Sequence, residues 1–474
     1  MRRPPDSKAR EDARRLAPQV RSALASAHLR RQARLRRWQS ALRLVAGLAI
    51  LITCGTLLLM LPVSGAGRSL HADEALFTAV SALTTTGLSV ITPGRDLSTF
   101  GQIVLLLLMQ AGGIGFMVGA VTIYQLLGRQ VSLEDRLTLR DSLGLLSTGA
   151  LLRLTRQVLI GVVLIELAGA LLLWLNWLPV YGAGAALYYA IFHAVSAFSN
   201  ASFDLFSGAP DAPAAFPTDP WTLLTLSTLV ILGSIGIPVL ADLVRWPRLR
   251  TLSLHSRLTL LVAGGLLAFG TVGLFVGASL PGTLFADQPW PRRLLLAYFH
   301  SATSRTSGFV LQPLDSMAQA NVLLLTALMF IGGSPASMGG GITTSVFVVL
   351  LLALVSYARG RAQVVVARRT IPTETVLKAT AVLMVALMLC GVVTWLLLLS
   401  QPTTLPEALF EAVSAFATCG FTLGLTPKLD LFGRLLVAFT MFWGRLGALT
   451  IVVTLTQRDI SPAVSYPEEQ ILVG

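Results

Sequence analysis

Charge is what this sequence has least of. Charged residues make up 12% of its 474 positions, about half the one quarter usual in soluble domains. Hydrophobic residues make up 54% and the mean hydropathy is +0.73. Too little polar surface is left to cover that much apolar chain in water, which excludes a soluble multidomain protein. Cysteine is nearly absent: Cys54, Cys390 and Cys419 lie in or beside apolar stretches without paired spacing, so neither a disulfide framework nor a zinc site is indicated. His71, His193, His255 and His300 are scattered and form no metal-ligand spacing with cysteine or carboxylate. No glycine-rich loop precedes a lysine, which argues against ATP hydrolysis. No nucleophile, base and orienting group recur together, so an enzyme, even a membrane-embedded one, is not indicated.

What is present is a series of apolar runs, each near the roughly 20 residues a helix needs to cross a bilayer. They cover about 41–62, 100–127, 154–178, 221–244, 258–280, 318–357, 375–400 and 431–457, which predicts an all-α integral membrane protein of eight spans. Residues 1–40 hold Arg2, Arg3, Lys8, Arg10 and a dense basic run from Arg30 to Arg37, without the apolar core and cleavage site of a secretory signal. They read as a retained cytoplasmic tail. An even number of spans places both termini on one face. The tail, segments 128–157, 245–257 and 358–378, and the C-terminus then carry 28 of the 36 Lys+Arg, so that face is cytoplasmic and the membrane an inner, cytoplasmic one. Seven basic residues fall outside, and Arg445 lies within a span. The basic charge therefore reports topology, not nucleic-acid binding. It also suits anionic lipid or an acidic regulator.

Self-similarity organises the rest. Ser81–Ser89 (SALTTTGLS), Ser196–Asp204 (SAFSNASFD), Ala302–Val310 (ATSRTSGFV) and Ser414–Thr422 (SAFATCGFT) align to place Gly87, Ser202, Gly308 and Gly420 at one position, 115, 106 and 112 residues apart. Each follows a short amphipathic stretch and lies between two long apolar runs. The predicted unit is a span, a short descending helix, a loop and a second span, four times in pseudo-fourfold array around a central pore. The repeats occupy 41–127, 154–244, 258–357 and 375–457, joined by 128–153, 245–257 and 358–374, with 458–474 as the cytoplasmic C-terminus. Non-helical backbone at membrane depth must be buried in protein or line water, and four loops on one axis do both. A ring of main-chain carbonyls that replaces an ion's hydration shell requires unusual dihedrals and no bulky Cβ at the turn, which Gly87, Gly308 and Gly420 provide. Thr85, Thr86, Asn200, Ala201, Thr306, Ser307, Thr418 and Cys419 are small and mostly polar, and no carboxylate stands among them. Carbonyl dipoles without acids favour a large monovalent cation over Ca²⁺ or Mg²⁺.

The sixth apolar run is broken by Gly332, Gly333, Ser334, Pro335, Ala336, Ser337, Met338, Gly339, Gly340 and Gly341. Glycine costs about 1 kcal/mol and proline about 3 relative to alanine inside a helix, so the span must break there. Close packing of small residues is the alternative use of such a stretch. An unpaired Arg445 at membrane depth costs at least about 2.5 kcal/mol and should face water or a carboxylate. Glu166 is a possible partner, with a polar helix contact as the other reading. Asp204, Asp315 and Asp430 read as vestibule or loop-bonding residues rather than ion ligands.

These residues resemble the Trk/Ktr/HKT superfamily of potassium transporters. TTTGL (84–88), NASF (200–203), SRTSGF (304–309) and ATCGF (417–421) are similar to its four filter loops. QAGGIGFM (110–117), LGSIGIPVL (232–240), FIGGSPASMGGGITTS (330–345) and GRLGALT (444–450) are similar to its second-span signatures. The resemblance covers nearly everything after residue 41. Lacking an extra N-terminal pair of spans, the chain looks like the Ktr-type pore-forming subunit. It implies potassium uptake through a gated filter, a homodimer with one pore per protomer, a cytoplasmic nucleotide-binding regulatory ring of RCK type, and no cofactor beyond the transported K⁺, or Na⁺. It identifies the loop 331–344 with the family's intramembrane gate and Arg445 with its pore-lining arginine. Coupled symport with Na⁺ or H⁺ on the same build is the alternative. Ser202 departs from the family, which has glycine there. Either its Cβ strains a left-handed residue and loosens the filter, or it takes an ordinary conformation with its hydroxyl turned away.

Overall fold

The computed structural model describes residues 45–115, 151–207, 216–279, 286–311, 314, 317–335, 337–361 and 363–446. The predicted basic tail, most of the first linker, the C-terminus, Ala336 and Asp315 lie outside them.

Each of the eight apolar runs carries helix. The elements are α1 (Val45–Met60), α2 (Ala72–Leu83), α3 (Thr99–Ile114), α4 (Leu151–Phe198), α5 (Pro220–Ile235), α6 (Ile237–Leu249), α7 (Leu254–Gly277), α8 (Trp290–Ser304), α9 (Gln319–Ile331), α10 (Thr344–Ala358), β1 (Val364–Val366), β2 (Arg369–Ile371), α11 (Thr373–Ser400), α12 (Leu405–Phe416) and α13 (Leu431–Leu446). Among the described residues, the helices within Leu159–Phe198, Leu254–Gly277 and Thr373–Ser400 are long and apolar enough to cross a bilayer. α4 is two helices in sequence, kinked at Gly182 (φ 76°), so the short descending helix of the second unit is its last stretch.

The helix starts follow from local chemistry. Asp219 accepts from the Thr222 N–H at 2.9 Å ahead of Pro220, and the Glu407 carboxylate accepts from the Thr404 N–H at 2.9 Å. Both satisfy donors that a helix N-terminus leaves open. Lipid supplies no hydrophobic force between helices, so close packing of small residues must hold them. It does so in three units alike: Gly112, Gly233 and Gly444 press against the carbonyls of Leu83, Phe198 and Phe416, where a Cβ would overlap the oxygen.

Three features depart from the sequence-based expectation. The fourth run is not one straight span: it breaks at Gly236 (φ 93°), and the helices either side meet at 105°. α3 ends at the matching Gly115 (φ 80°) and α9 at Gly332 (φ 65°), so a helix ending at a positive-φ glycine occurs in three of the second runs rather than in the sixth run alone. Finally, the chain is not purely helical. β1 and β2 pair antiparallel, Val364 opposite Ile371, across Ala367 and Arg368, both left-handed (φ 47° and 61°). That is the backbone of a primed two-residue hairpin turn, built here without the Asn or Gly that usually announces it.

Candidate functional site

The short helices α2, α8 and α12 and the end of α4 each run into one of the four aligned loops, and the loops meet. A Cβ on Gly87 would strike the Ala201 carbonyl and Ser202, and one on Gly420 would strike the Thr86 carbonyl. The Ser202 Oγ lies 3.1 Å from the Ser307 Oγ and donates to the Cys419 carbonyl at 3.3 Å. The Gly308 N–H donates to the same carbonyl at 2.5 Å. First touches second, second touches third, third touches fourth, and fourth touches first. Thr85, Thr86, Asn200, Ala201, Thr306, Ser307, Thr418 and Cys419 are all fully buried, so this polar cluster sits inside the protein. Thr306 Oγ1 and Thr418 Oγ1 have no protein partner among the described residues.

Three loops share a backbone. Thr85 and Gly87 (φ 53° and 88°), Asn200 and Ser202 (57° and 57°), and Thr418 and Gly420 (47° and 101°) are left-handed in pairs. Ser202 therefore does carry its side chain on a left-handed residue, which costs about 1–2 kcal/mol relative to glycine, and its hydroxyl points into the cluster rather than away. Gly308 is the correction: it adopts no positive φ, and neither does Thr306.

Polar side chains behind the loops hold them. The Gly87 and Gly420 N–H groups donate to Ser81 Oγ and Ser414 Oγ at 3.0 and 3.1 Å, while Ser196 Oγ donates to the Phe203 carbonyl at 2.8 Å. One turn up the short helices of the second and fourth units a second latch closes onto the returning chain. His193 Nε2 pairs with Asp204 Oδ1 at 3.1 Å, and the buried Glu411 accepts from Thr422 Oγ1 at 2.8 Å and from Thr426 Oγ1. Asp204 also accepts from the Phe206 and Ser207 N–H groups, and Asp430 accepts from the Gly433 N–H and Gln401 Nε2; both are loop-bonding residues, as expected. Replacing Glu411 by leucine strands the buried Thr426 hydroxyl and the half-buried Thr422 hydroxyl, at about 1–3 kcal/mol in all. A melting temperature in detergent several degrees below wild type is the expected result, with Glu411→Gln closer to wild type.

Directly beneath lies the segment that interrupts the sixth run. The Ser334 and Met338 N–H groups donate to the Ser234 and Gly233 carbonyls at 2.9 and 3.0 Å. Thr85 Oγ1 donates to the Met338 carbonyl at 3.2 Å. Gly339 and Gly340 leave no room for a Cβ beside Thr306 and Thr418. The segment thus touches all four units from below. Arg445 Nη1 donates to the Met338 carbonyl at 2.5 Å and its Nη2 to the Gly112 carbonyl. Carbonyl oxygens, rather than the expected water or carboxylate, partner it, and Glu166 accepts instead from Gln110 Nε2 at 2.8 Å.

Sequence reasoning missed Arg305, which counted as a residue of the outer face. The structure buries it, with Nη2 donating to the Gly332 carbonyl and Thr344 Oγ1, both at 3.1 Å, and Nη1 to the Ala263 carbonyl at 3.4 Å. An arginine at the place filled by Thr84, Ser199 and Ala417 in the other three units was its only sequence signal.

At the opposite rim, where the short helices begin, four carboxyls are held below the usual carboxylate range and stay ionised at neutral pH. Arg68 does this for Glu74, the Thr404 N–H for Glu407 and the Gly433 N–H for Asp430. At Asp73 burial pushes upward, and the hydrogen bond from Arg434, at 2.5 Å, together with the Arg434 charge and the Asp73 and Glu74 N–H groups outweighs it.

A family model described as TrkH, cation transport protein, matches residues 22–462. The chain belongs to the TrkH family. Its relatives include the Ktr system potassium uptake protein B of Bacillus subtilis, 36% identical over 436 residues, which span 91% of this chain and 96% of that protein. The potassium/sodium uptake protein NtpJ of Enterococcus hirae is 34% identical over 93% of this chain and 99% of its own length. The crystal structure of the potassium transporter TrkH from Vibrio parahaemolyticus matches with a TM-score of 0.66 at 20% identity, covering 88% of this chain and 85% of that one, and confirms the fold. As a member of the TrkH family with these apolar helices, the chain is a multi-pass membrane protein of mostly helical fold.

Proposed function

We propose that the chain is the pore-forming subunit of a potassium uptake system. The mutual contact of four loops from four similar units carries this reading: small, polar, buried and free of carboxylates, they offer a dehydrated monovalent cation main-chain and hydroxyl oxygens in place of water. The filter comprises Thr85, Thr86, Gly87, Asn200, Ala201, Ser202, Thr306, Ser307, Gly308, Thr418, Cys419 and Gly420. The segment from Gly332 to Gly341, with Arg445, closes it from the cytoplasmic side. Of the four ionised carboxyls at the other rim, Glu74 and Asp73 are offset by Arg68 and Arg434, while Glu407 and Asp430 leave net negative charge that raises the local cation concentration at the entrance. The relatives named for Ktr systems support assembly with other components of such a system; that this partner is a cytoplasmic nucleotide-binding ring, and that the chain is a homodimer, belong to the same proposal. Rb⁺ influx into liposomes containing the purified protein, with competition by K⁺, Na⁺ and Cs⁺, tests it. Influx competed by K⁺ is expected; no Rb⁺ influx under a K⁺ gradient overturns it.

A second reading, Na⁺ as a co-transported or competing ion, is favoured by one observation. The Ser202 hydroxyl occupies the Cys419 carbonyl and bridges to Ser307, so one oxygen of the ring is engaged by protein. Ser202→Gly removes one of the two protein donors on that carbonyl, leaving the Gly308 N–H, and relaxes the left-handed strain. The expected outcome is at least about a threefold shift of the K⁺ over Na⁺ competition ratio toward K⁺. An unchanged ratio shows that Ser202 does not tune selectivity. Reversal potentials that follow the Na⁺ or pH gradient, rather than that of the permeant ion alone, decide for coupled symport.

A further inference from the structure

The third unit lacks the serine that backs the other three loops and the polar latch of the second and fourth. Ala302 stands where Ser81, Ser196 and Ser414 provide a hydroxyl, and Phe299 with Val310 stands where His193–Asp204 and Glu411–Thr422 form polar latches. The consequence is local: the Gly308 N–H, without a serine behind it, donates sideways to the Cys419 carbonyl of the fourth loop. The pressed glycine is missing as well. Ser304, the counterpart of Leu83, Phe198 and Phe416, offers its carbonyl to Cys419 Sγ at 3.1 Å, and Gly332 packs on Gly340 instead.

In place of these supports stands Arg305, immediately before Thr306. One guanidinium reaches the Gly332 carbonyl, where α9 ends, and Thr344 Oγ1, where α10 begins. It therefore grips both ends of the interrupting segment from the residue that starts the third loop. A rigid, planar donor suits that task, since its Nη2 donates to both acceptors while Nη1 is held by the Ala263 carbonyl. Its burial makes the grip consequential, because a buried guanidinium that loses its acceptors is strongly destabilised.

We propose that Arg305 is a positioning residue that couples the interrupting segment to the third loop, so that movement of the segment resets the loop and with it the ion preference of the filter. This rests on the filter-and-gate reading given above. In the state described, the two ends of the segment hold Arg305, and the third loop lies across the ring with Gly308 on Cys419. When the segment leaves, Gly332 and Thr344 move with it, Arg305 follows, and Gly308 can turn into the left-handed conformation of Gly87 and Gly420. Selectivity and gating then change together, although Arg305 itself touches neither the ring nor the ion.

The test is a double-mutant cycle on the full-length protein in liposomes, reading resting Rb⁺ influx and the K⁺ over Na⁺ competition ratio. Arg305→Gln is expected to raise resting influx and to shift the ratio at least threefold. Thr344→Val, at the far end of the contact, is expected to shift the ratio in the same direction, and the double variant to add little to either. A change of influx alone in Thr344→Val, or two additive effects on the ratio, overturns the coupling and leaves Arg305 a packing residue. If Arg305→Gln does not fold, the cycle pairs Ala302→Ser with Thr344→Val. A serine behind Gly308 gives the third loop its own support, so Thr344→Val should no longer move the ratio in that background, and a full-sized shift there overturns the proposal. The underlying filter reading fails separately, through wild-type influx in Gly420→Ala.

Discussion

Removal of residues 334–340 raises resting Rb⁺ influx at least about tenfold. The segment is fastened to the units around it by the Ser334 and Met338 N–H groups, by Thr85 Oγ1 and by Arg445 on the Met338 carbonyl. Four hydrogen bonds at about 1 kcal/mol net each hold it down by roughly 4 kcal/mol, an open fraction on the order of 10⁻³. Loss of the segment abolishes that closed population. The splice itself is mild, because the Gly333 N–H already donates to the Gly340 carbonyl at 3.2 Å and the two cut ends are neighbours. Liposome influx without any partner protein is the measurement. Influx equal to wild type shows that the glycines serve helix packing, the other use of such a sequence. Arg445→Ala removes one of the four fastenings, and its smaller rise lies between the two.

The four loops were legible because a repeat multiplies a weak signal. A single SxxxxxG stretch is an ordinary turn, but four in register leave one arrangement that satisfies non-helical backbone within a membrane. The break in the sixth run was legible for a similar reason, since GGSPASMGGG is too costly for a helix. Single glycines were not. Gly115 and Gly236 end their helices as Gly332 does, yet one glycine in an apolar run costs only about 1 kcal/mol as helix and gives no warning. The hairpin over residues 364–371 was hidden because Ala367 and Arg368 occupy the left-handed turn that glycine or asparagine would have marked. Gly308 shows the converse: a glycine allows a positive φ without requiring it, and the missing hydroxyl at Ala302, six residues back, decides. The acceptors of Arg305 and Arg445 are main-chain carbonyls, which have no signature in a sequence, so the expectation of a carboxylate beside Arg445 had nothing to correct it until the carbonyls of Gly112 and Met338 were located.

Those same loops yield the second large effect. Gly420→Ala is expected to lower Rb⁺ influx at least about tenfold in protein that still folds. Two costs combine at this position. The backbone lies at φ 101°, where a side chain is strained by about 1–2 kcal/mol, and the new Cβ overlaps the Thr86 carbonyl of the first loop. To admit it, either Gly420 returns to a right-handed conformation, which turns its own peptide, or the Thr86 carbonyl moves away; each removes an oxygen from the ring. Gly424, four residues on, separates the two costs. It has nearly the same dihedral, φ 91°, but a Cβ there meets nothing within 4 Å. Gly424→Ala therefore carries the strain without the collision, and its influx is expected to stay within about twofold of wild type while its melting temperature falls. If Gly420→Ala and Gly424→Ala lose influx equally, backbone strain alone explains both and the ring of carbonyls does not conduct. If only Gly420→Ala loses it, the oxygen displaced at Thr86 is one that the ion needs.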